Sequence, residues 1–365
     1  MAKTNEQIRN ILAQFQLSEK VIAAEPFGNG HINDTLKVID EQGKIHYVLQ
    51  RVNHQIFTNV DMLQRNIEIV TTHIRKKLEA RGEADIDRKV LTFLPTRDGK
   101  NYYFDGDSYW RVSLFIPRSK SYEEVTPELS FEAGRAFGDF QTMLSDLPEG
   151  TLGETIPDFH NMEFRLRQFQ EAVTTDPAGR VEEVKPLIEE IDRRAEAMCV
   201  QERLYRAGKL RKRVNHCDTK VNNILFDADS DKVLCVIDLD TVMPGFVLSD
   251  IGDFIRTGAN TGAEDDENLD RVGVNMEIFE TYTKGYMEKA KAFLTPTEIQ
   301  LLPYGGRLLT YMQTVRFLTD YLNGDTYYKI HSPKHNLVRT KAQFKLLQSL
   351  EERAEEMDRF MEQWL

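Results

Sequence analysis

The sequence predicts an α+β protein of two lobes: a small antiparallel-sheet lobe over residues 1–116 and a larger, mainly helical lobe over 117–365. Three observations predict it. The first 116 residues alternate short β-forming runs with turn dipeptides. Most of the remainder carries long apolar patterns of helical period. One pair of short apolar runs then returns at 224–226 and 233–237, set between helical stretches. A chain of 365 residues is long enough to bury a large core and to divide in two.

In chain order, Thr4 and Gln7 form a capping box, and Ile8, Ile11, Leu12 and Phe15 share the face of the helix that follows. Strands are expected over 21–27 and 35–40, joined by Gly28-Asn29-Gly30-His31-Ile32-Asn33-Asp34. Two glycines there let the backbone turn tightly and approach a ligand closely. A third strand spans 45–52. Val60, Leu63, Ile67, Val70 and Ile74 then form the stripe of a helix over 59–77. Runs at 90–94, 101–104 and 109–116, parted by Asp98-Gly99 and Asp105-Gly106, complete the sheet lobe. Pro117 ends it, with a hinge expected over 115–118. Helices are expected over 127–146, 161–175, 183–207, 272–292, 296–322 and 338–364.

Composition narrows the function classes. The net charge of -12 argues against a nucleic-acid partner, which would require a basic face. No stretch approaches the length of a membrane span, and the first residues lack a signal peptide's apolar run. Three cysteines without CxxC spacing imply a reducing compartment, so a cytoplasmic protein is expected; it is also expected to be a monomer acting on a small molecule. The acid-rich run 264–270 reads as a solvated loop.

The chemistry concentrates in Val214-Asn215-His216-Cys217-Asp218-Thr219-Lys220-Val221-Asn222-Asn223, followed by Val233-Leu234-Cys235-Val236-Ile237-Asp238-Leu239-Asp240. The pattern is strand, polar loop, hairpin. It is expected to bring Asp218, Asn223 and Asp238 to one sheet end. An acid, an amide and an acid suit Mg2+ and a hydroxyl to be deprotonated.

His216, Asp218 and Asn223 match the spacing of a kinase catalytic loop, H-x-D-x-x-x-x-N, and Asp238 stands about 20 residues on, at a strand end. The chain therefore resembles the protein-kinase-like fold. Within it, Ile237-Asp238-Leu239-Asp240 and the glycine turn resemble the aminoglycoside phosphotransferase and choline kinase superfamily. Closer still, the chain is similar to the N-acetylhexosamine 1-kinases, which phosphorylate the anomeric hydroxyl of GlcNAc and GalNAc. The similarity is carried by Gly30-His31-Ile32-Asn33, Asp218 to Leu225, Asp238 to Gly245, Arg316-Phe317-Leu318-Thr319-Asp320-Tyr321-Leu322 and His335-Asn336-Leu337-Val338-Arg339-Thr340.

The resemblance implies ATP as phosphoryl donor and Mg2+ as cofactor. Asp218 is then the catalytic base, with Lys220 offsetting charge on the transferred group. Asn223, Asp238 and Asp240 are the candidate metal ligands, although Asp240 reads equally as a brace for the turn after it. Gly28, Asn29, Gly30, Gln50 and Phe115 are the nucleotide candidates. Gln50 stands where kinases place a strand lysine, and Glu68 where that lysine's partner would be. His31, Asn33, Asp218, Arg316 and Tyr327 are the sugar candidates. His216 is expected to shape the loop, and Asp250 and Asp253 to brace it. The alternatives are a kinase for another alcohol (aminoglycoside, choline, homoserine or methylthioribose) and a nucleotide-binding pseudokinase, for which Gln50 is the best argument.

Overall fold

The computed structural model describes residues 3–28 and 32–365. It divides the chain into two compact units. The first takes the chain through Ser121, then Gly150–Pro157 and Ile224–Met243. The second takes Tyr122–Glu149, Asp158–Asn223 and Pro244–Leu365.

The first unit is built on an antiparallel sheet in the order Ala23–Pro26, Asp34–Ile39, Ile45–Val52, Tyr109–Leu114, Phe93–Leu94, with Tyr103–Phe104 also paired to Tyr109–Leu114. The strands at 93–94 and 103–104 are shorter than the apolar runs that mark them. Helix Asn5–Leu12 opens on the expected capping box at Thr4. Its Ile8, Ile11 and Leu12, with Phe15, bury against Val38, Tyr47, Leu49, Trp110 and Val112. Alternation along a strand sends the intervening side chains to the opposite face. In register, Thr35, Gln50 and Arg111 lie directly across from one another and share that second face. Helix Val60–Ala80 buries Leu63, Ile67, Val70 and Ile74, as its stripe predicts. The late hairpin, Ile224–Asp227 with Val233–Val236, gains a third strand in Ser119–Lys120, and so belongs to this unit.

The second unit is helical: Pro127–Leu144, Met162–Thr175, Val181–Arg194, Val200–Arg206, Val247–Gly258, Met276–Ala290, Pro296–Leu322, His335–Glu352 and Ala354–Met361. Two expected helices are broken. The pattern over 183–207 is interrupted by a tighter turn at Ala197–Cys199, and that over 338–364 breaks at Arg353. Helix Val247–Gly258 was not read from the sequence. Its apolar residues Val247, Leu248, Ile251, Phe254 and Ile255 recur at helical spacing, but the polar residues between them are buried as well. Two glycines set its position. A Cβ on Gly252 would lie 2.2 Å from the Gly305 carbonyl oxygen, and one on Gly305 would lie 2.3 Å from that of Leu248. Only the missing side chains let the backbones of Val247–Gly258 and Pro296–Leu322 meet.

Candidate active site

In the helical unit, strand Arg213–Asn215 delivers the loop that carries Asp218. Asp250, on helix Val247–Gly258, holds that loop from beneath. Its carboxylate accepts the backbone N–H groups of His216 and Cys217, each at 2.8 Å, and the Gln141 side-chain amide at 2.7 Å. Thr219 Oγ1 donates to the Asp250 carbonyl. Burial pushes the Asp250 carboxyl up to about 6, against the pull of His216 and these donors. Cys217 adopts a left-handed φ of 63°, a conformation costing about 1–2 kcal/mol for a residue with a Cβ. The brace on both adjoining amides offsets that cost. His216 is buried edge-on against Phe137 and Phe140, which agrees with a loop-shaping role.

Asp218 emerges from this turn with its side chain 28% exposed. Lys220 Nζ lies 2.9 Å from Oδ1. Asn223 Nδ2 donates to Oδ2 at 3.0 Å and to the Asp218 carbonyl at 2.8 Å. Burial opposes ionisation, but the Lys220 charge and the Lys220 and Asn223 hydrogen bonds hold the Asp218 carboxyl below the usual carboxylate range. The Asp218 charge, in turn, raises the Lys220 ammonium despite its burial. Asp218 is therefore an anion near neutral pH. Asn223, with its N–H groups turned to Asp218, presents the remaining amide oxygen for other use.

The same unit contains a cavity of about 400 Å³ lined by Arg165, Gln168, Arg316, Asp320, Tyr327 and Tyr328, among others. Arg316 covers the rings of Phe159, Tyr328 and Tyr327 at 5.2, 5.6 and 5.8 Å, and donates to Gln313 Oε1 at 3.1 Å. Arg165 donates to the Phe159 carbonyl and to Gln168 Oε1. Burial, then the charge of Arg316, pulls Arg165 down to about 10. Among the described residues neither guanidinium has a carboxylate within ion-pair distance. The Tyr327–Tyr328 segment hangs on Asp320, whose carboxylate accepts the N–H groups of Thr326, Tyr327 and Tyr328 at 2.9, 2.8 and 3.0 Å and the Asn336 amide at 2.8 Å. His160 stacks on Phe159 at 4.4 Å. Burial, then the charges of Arg316 and Arg165, pushes it down to about 3, so it is neutral, and its buried Nδ1 has no hydrogen-bond partner.

The acid-rich run is not merely solvated. Glu264 pairs with Arg256 at 2.8 Å, Arg256 pairs with Asp253 at 2.8 Å, and Asp265 takes His335 Nε2 at 2.8 Å. Asp253 thus acts through Arg256, a brace of the kind expected of it.

In the sheet unit, Asp238 follows the strand Val233–Val236 with a left-handed φ of 58° and opens the short turn Leu239–Thr241. Asp240 is 2% exposed, and both its oxygens are taken: Oδ1 by Arg111 Nη1 and Oδ2 by Asn33 Nδ2, each at 2.5 Å. Asn33 Oδ1 accepts the Asn53 backbone N–H at 2.9 Å. Gln50 is also engaged at both ends: its amide donates to Thr35 Oγ1 at 3.1 Å and accepts from Arg111 Nε at 3.0 Å. Glu68 is exposed and accepts from Asn101 at 2.7 Å. Phe115 sits edge-on to Phe27 at 6.0 Å. Gly28 has a φ of 74° with open space where a Cβ would stand. Asn29, Gly30 and His31 lie outside the described residues.

Taken separately, Asn223 offers an amide oxygen and Asp238 a carboxylate, each a hard oxygen donor of the kind magnesium accepts. Among the described residues no three acidic, imidazole or thiolate groups form a metal cluster. Sequence reasoning missed Arg111, Arg165 and His160. Only the register of the strands reveals the first. The other two flank Asn161, the N-cap of helix Met162–Thr175, and no spacing signal marks them.

Residues 23–282 match the phosphotransferase enzyme family, well over half the chain. Solved structures agree in fold. A spectinomycin phosphotransferase, crystallised with ADP and spectinomycin, is 13% identical with a TM-score of 0.61, over 98% of this chain and 100% of that one. A choline/ethanolamine kinase family protein from Mesorhizobium loti is 15% identical with a TM-score of 0.59, over 98% and 99%. An aminoglycoside phosphotransferase from Alicyclobacillus acidocaldarius is 12% identical with a TM-score of 0.56, over 98% of both chains. At these identities the likeness establishes the protein-kinase-like fold. Among the described residues no helix is long and apolar enough to cross a membrane.

Proposed function

The chain belongs to the phosphotransferase enzyme family, and we propose that it transfers the γ-phosphoryl group of ATP to the anomeric O1 hydroxyl of N-acetylhexosamines, GlcNAc or GalNAc. The observation that carries the acceptor class is the pair Arg165 and Arg316, neither within ion-pair distance of a carboxylate among the described residues, in the same unit as Asp218. Two half-buried guanidiniums oppose an ammonium group and favour a neutral acceptor rich in oxygen acceptors. Phe159, Tyr327 and Tyr328 add ring faces of the kind that pack against a pyranose. The sequence similarity to N-acetylhexosamine 1-kinases supports the particular sugar.

In this reading Asp218 orients the O1 hydroxyl and accepts its proton. The O1 lone pair forms the new bond to the γ-phosphorus. The bond from that phosphorus to the β–γ bridging oxygen breaks, and ADP leaves with its electron pair. Lys220, 2.9 Å from Asp218, places positive charge where the equatorial oxygens gain negative charge. Asn223 and Asp238 are the proposed magnesium ligands. When bound, the ion supplies neutralisation of the phosphate charge. The turn beginning at Gly28, with Phe115, is proposed to contact the nucleotide.

An assay with magnesium and ATP across GlcNAc, GalNAc, glucose, homoserine and methylthioribose tests the reading. The two N-acetylhexosamines should be consumed fastest and lose their reducing end, because O1 is esterified. A phosphorylated product that still reduces would place the reaction at another hydroxyl. Nucleotide binding with no turnover on any acceptor would mark a pseudokinase instead.

A further inference from the structure

A kinase-like sheet ordinarily binds the donor phosphates with a strand lysine that is paired with a helix glutamate. Here Gln50 holds that strand position, and Glu68 faces solvent on Asn101. Yet the sheet does carry a buried cation on the same face. Arg111 lies directly across from Gln50 on the neighbouring strand and is 2% exposed. Its Nε donates to Gln50, its Nη1 to Asp240, and its guanidinium covers Phe93 at 5.3 Å. Those two bonds use two of the five N–H groups that an arginine offers. The others make no hydrogen bond among the described residues.

The bonds form a continuous chain. Thr35 accepts from Gln50, Gln50 from Arg111, and Asp240 from both Arg111 and Asn33. Asn33 accepts from the Asn53 backbone. Its ends are Thr35, on strand Asp34–Ile39, and the Asn53 backbone, and Asp240, two residues past Asp238, lies in its middle. Every member but Arg111 and Asp240 is neutral, and those two charges compensate each other with side chains only 3% exposed.

We propose that Arg111 takes over the duty of the absent strand lysine: it is the positioning residue on which nucleotide phosphate binding depends, and Asp240 is its counter-ion rather than an independent magnesium ligand. Asp240 then fills the part of the helix glutamate, supplied from the turn after Asp238. Gln50 acts by aiming the Arg111 fork, because it brings no charge of its own and its amide is engaged by Thr35 and Arg111. The inference rests on reading this unit as the nucleotide-binding half. It does not depend on which acceptor is used.

The test is the affinity of the full-length protein for ADP, measured by titration calorimetry with excess magnesium and again in EDTA. No sugar is needed, so failure of the acceptor assignment leaves this measurement intact. If the wild-type protein binds no ADP, the proposed activity itself falls. Removing Arg111 alone would strand a buried carboxylate and destabilise the fold. The informative variant is therefore the doubly neutral Arg111→Gln/Asp240→Asn, whose thermal midpoint should stay near that of wild type. Its ADP affinity should drop roughly tenfold or more in both conditions, as loss of a charged hydrogen-bonding group entails. Gln50→Met should change affinity by no more than about threefold, the range of a neutral hydrogen bond. Arg111→Lys should keep the pair with Asp240 and recover part of the loss. Wild-type ADP affinity in the double variant overturns the proposal. So does a loss confined to the magnesium titration, which would make Asp240 a metal ligand.

Discussion

Asp218 accepts at both oxygens before any substrate arrives: Lys220 at Oδ1 and Asn223 at Oδ2. A carboxylate so engaged stays ionised, yet each oxygen keeps a further lone-pair position for an incoming hydroxyl. Replacing Asp218 by Asn removes the proton acceptor and preserves the shape. Turnover should fall about 10²–10⁴-fold. The thermal midpoint should change little, because the Asp250 brace acts on backbone amides and is untouched. Rapid-quench turnover beside thermal unfolding checks this, and near-normal turnover would remove the base role. Asp218 and Asn223 were readable from five residues of spacing, since one short loop contains both. Arg111 was not. It stands in Tyr109–Leu114, where an alternating strand tolerates any polar residue on its second face, and its partner Asp240 is 129 residues away. Long-range ion pairs leave no local trace, so a sheet with no strand lysine looked as though it lacked a buried cation.

The loop carrying Tyr327 shows how an element can act through one carboxylate. Helix Pro296–Leu322 ends just beyond Asp320, which gathers three successive amides of the segment that follows. Arg180 fixes the same turn from outside through Asp325 at 2.6 Å. Tyr327 is 56% exposed, so packing does not hold it in place and the amide bonds do. Asp320→Asn substitutes a donor where an acceptor is needed. We expect the KM for the acceptor to rise roughly tenfold, in line with the loss of one or two hydrogen bonds at a carboxylate. ADP affinity should be unchanged, and a parallel fall in both would mean general destabilisation rather than loss of acceptor positioning. The sequence marked this helix by its long helical pattern over 296–322, but its 27 residues bury on most sides, which hides the face toward the cavity. Helix Val247–Gly258, which supplies Asp250 to the catalytic loop, was missed although its apolar residues recur at helical spacing.

At the scale of the whole molecule, charge separates the acceptor readings. The chain carries a net charge of -12, which draws in cations from a distance. At physiological salt that field decays over about 8 Å, and close contacts decide binding. In the cavity that holds Arg316, Arg165 and Arg316 share the lining with Glu171 and Asp320, but neither guanidinium has a carboxylate within ion-pair distance among the described residues. Family membership alone leaves ammonium acceptors open, and solved structures of the same fold include a spectinomycin phosphotransferase and a choline/ethanolamine kinase family protein. The arginine pair predicts the opposite preference here. Choline, ethanolamine and an aminoglycoside should show no phosphorylation at any salt concentration. The kcat/KM for the N-acetylhexosamine should be flat between low and physiological salt, as for an uncharged substrate. Arg316→Gln should raise the KM for the sugar about tenfold or more without admitting choline, since Arg165 remains. Steady-state rates for these acceptors at two salt concentrations decide the matter: measurable turnover of choline by the wild-type protein would show that the arginine pair does not face the acceptor.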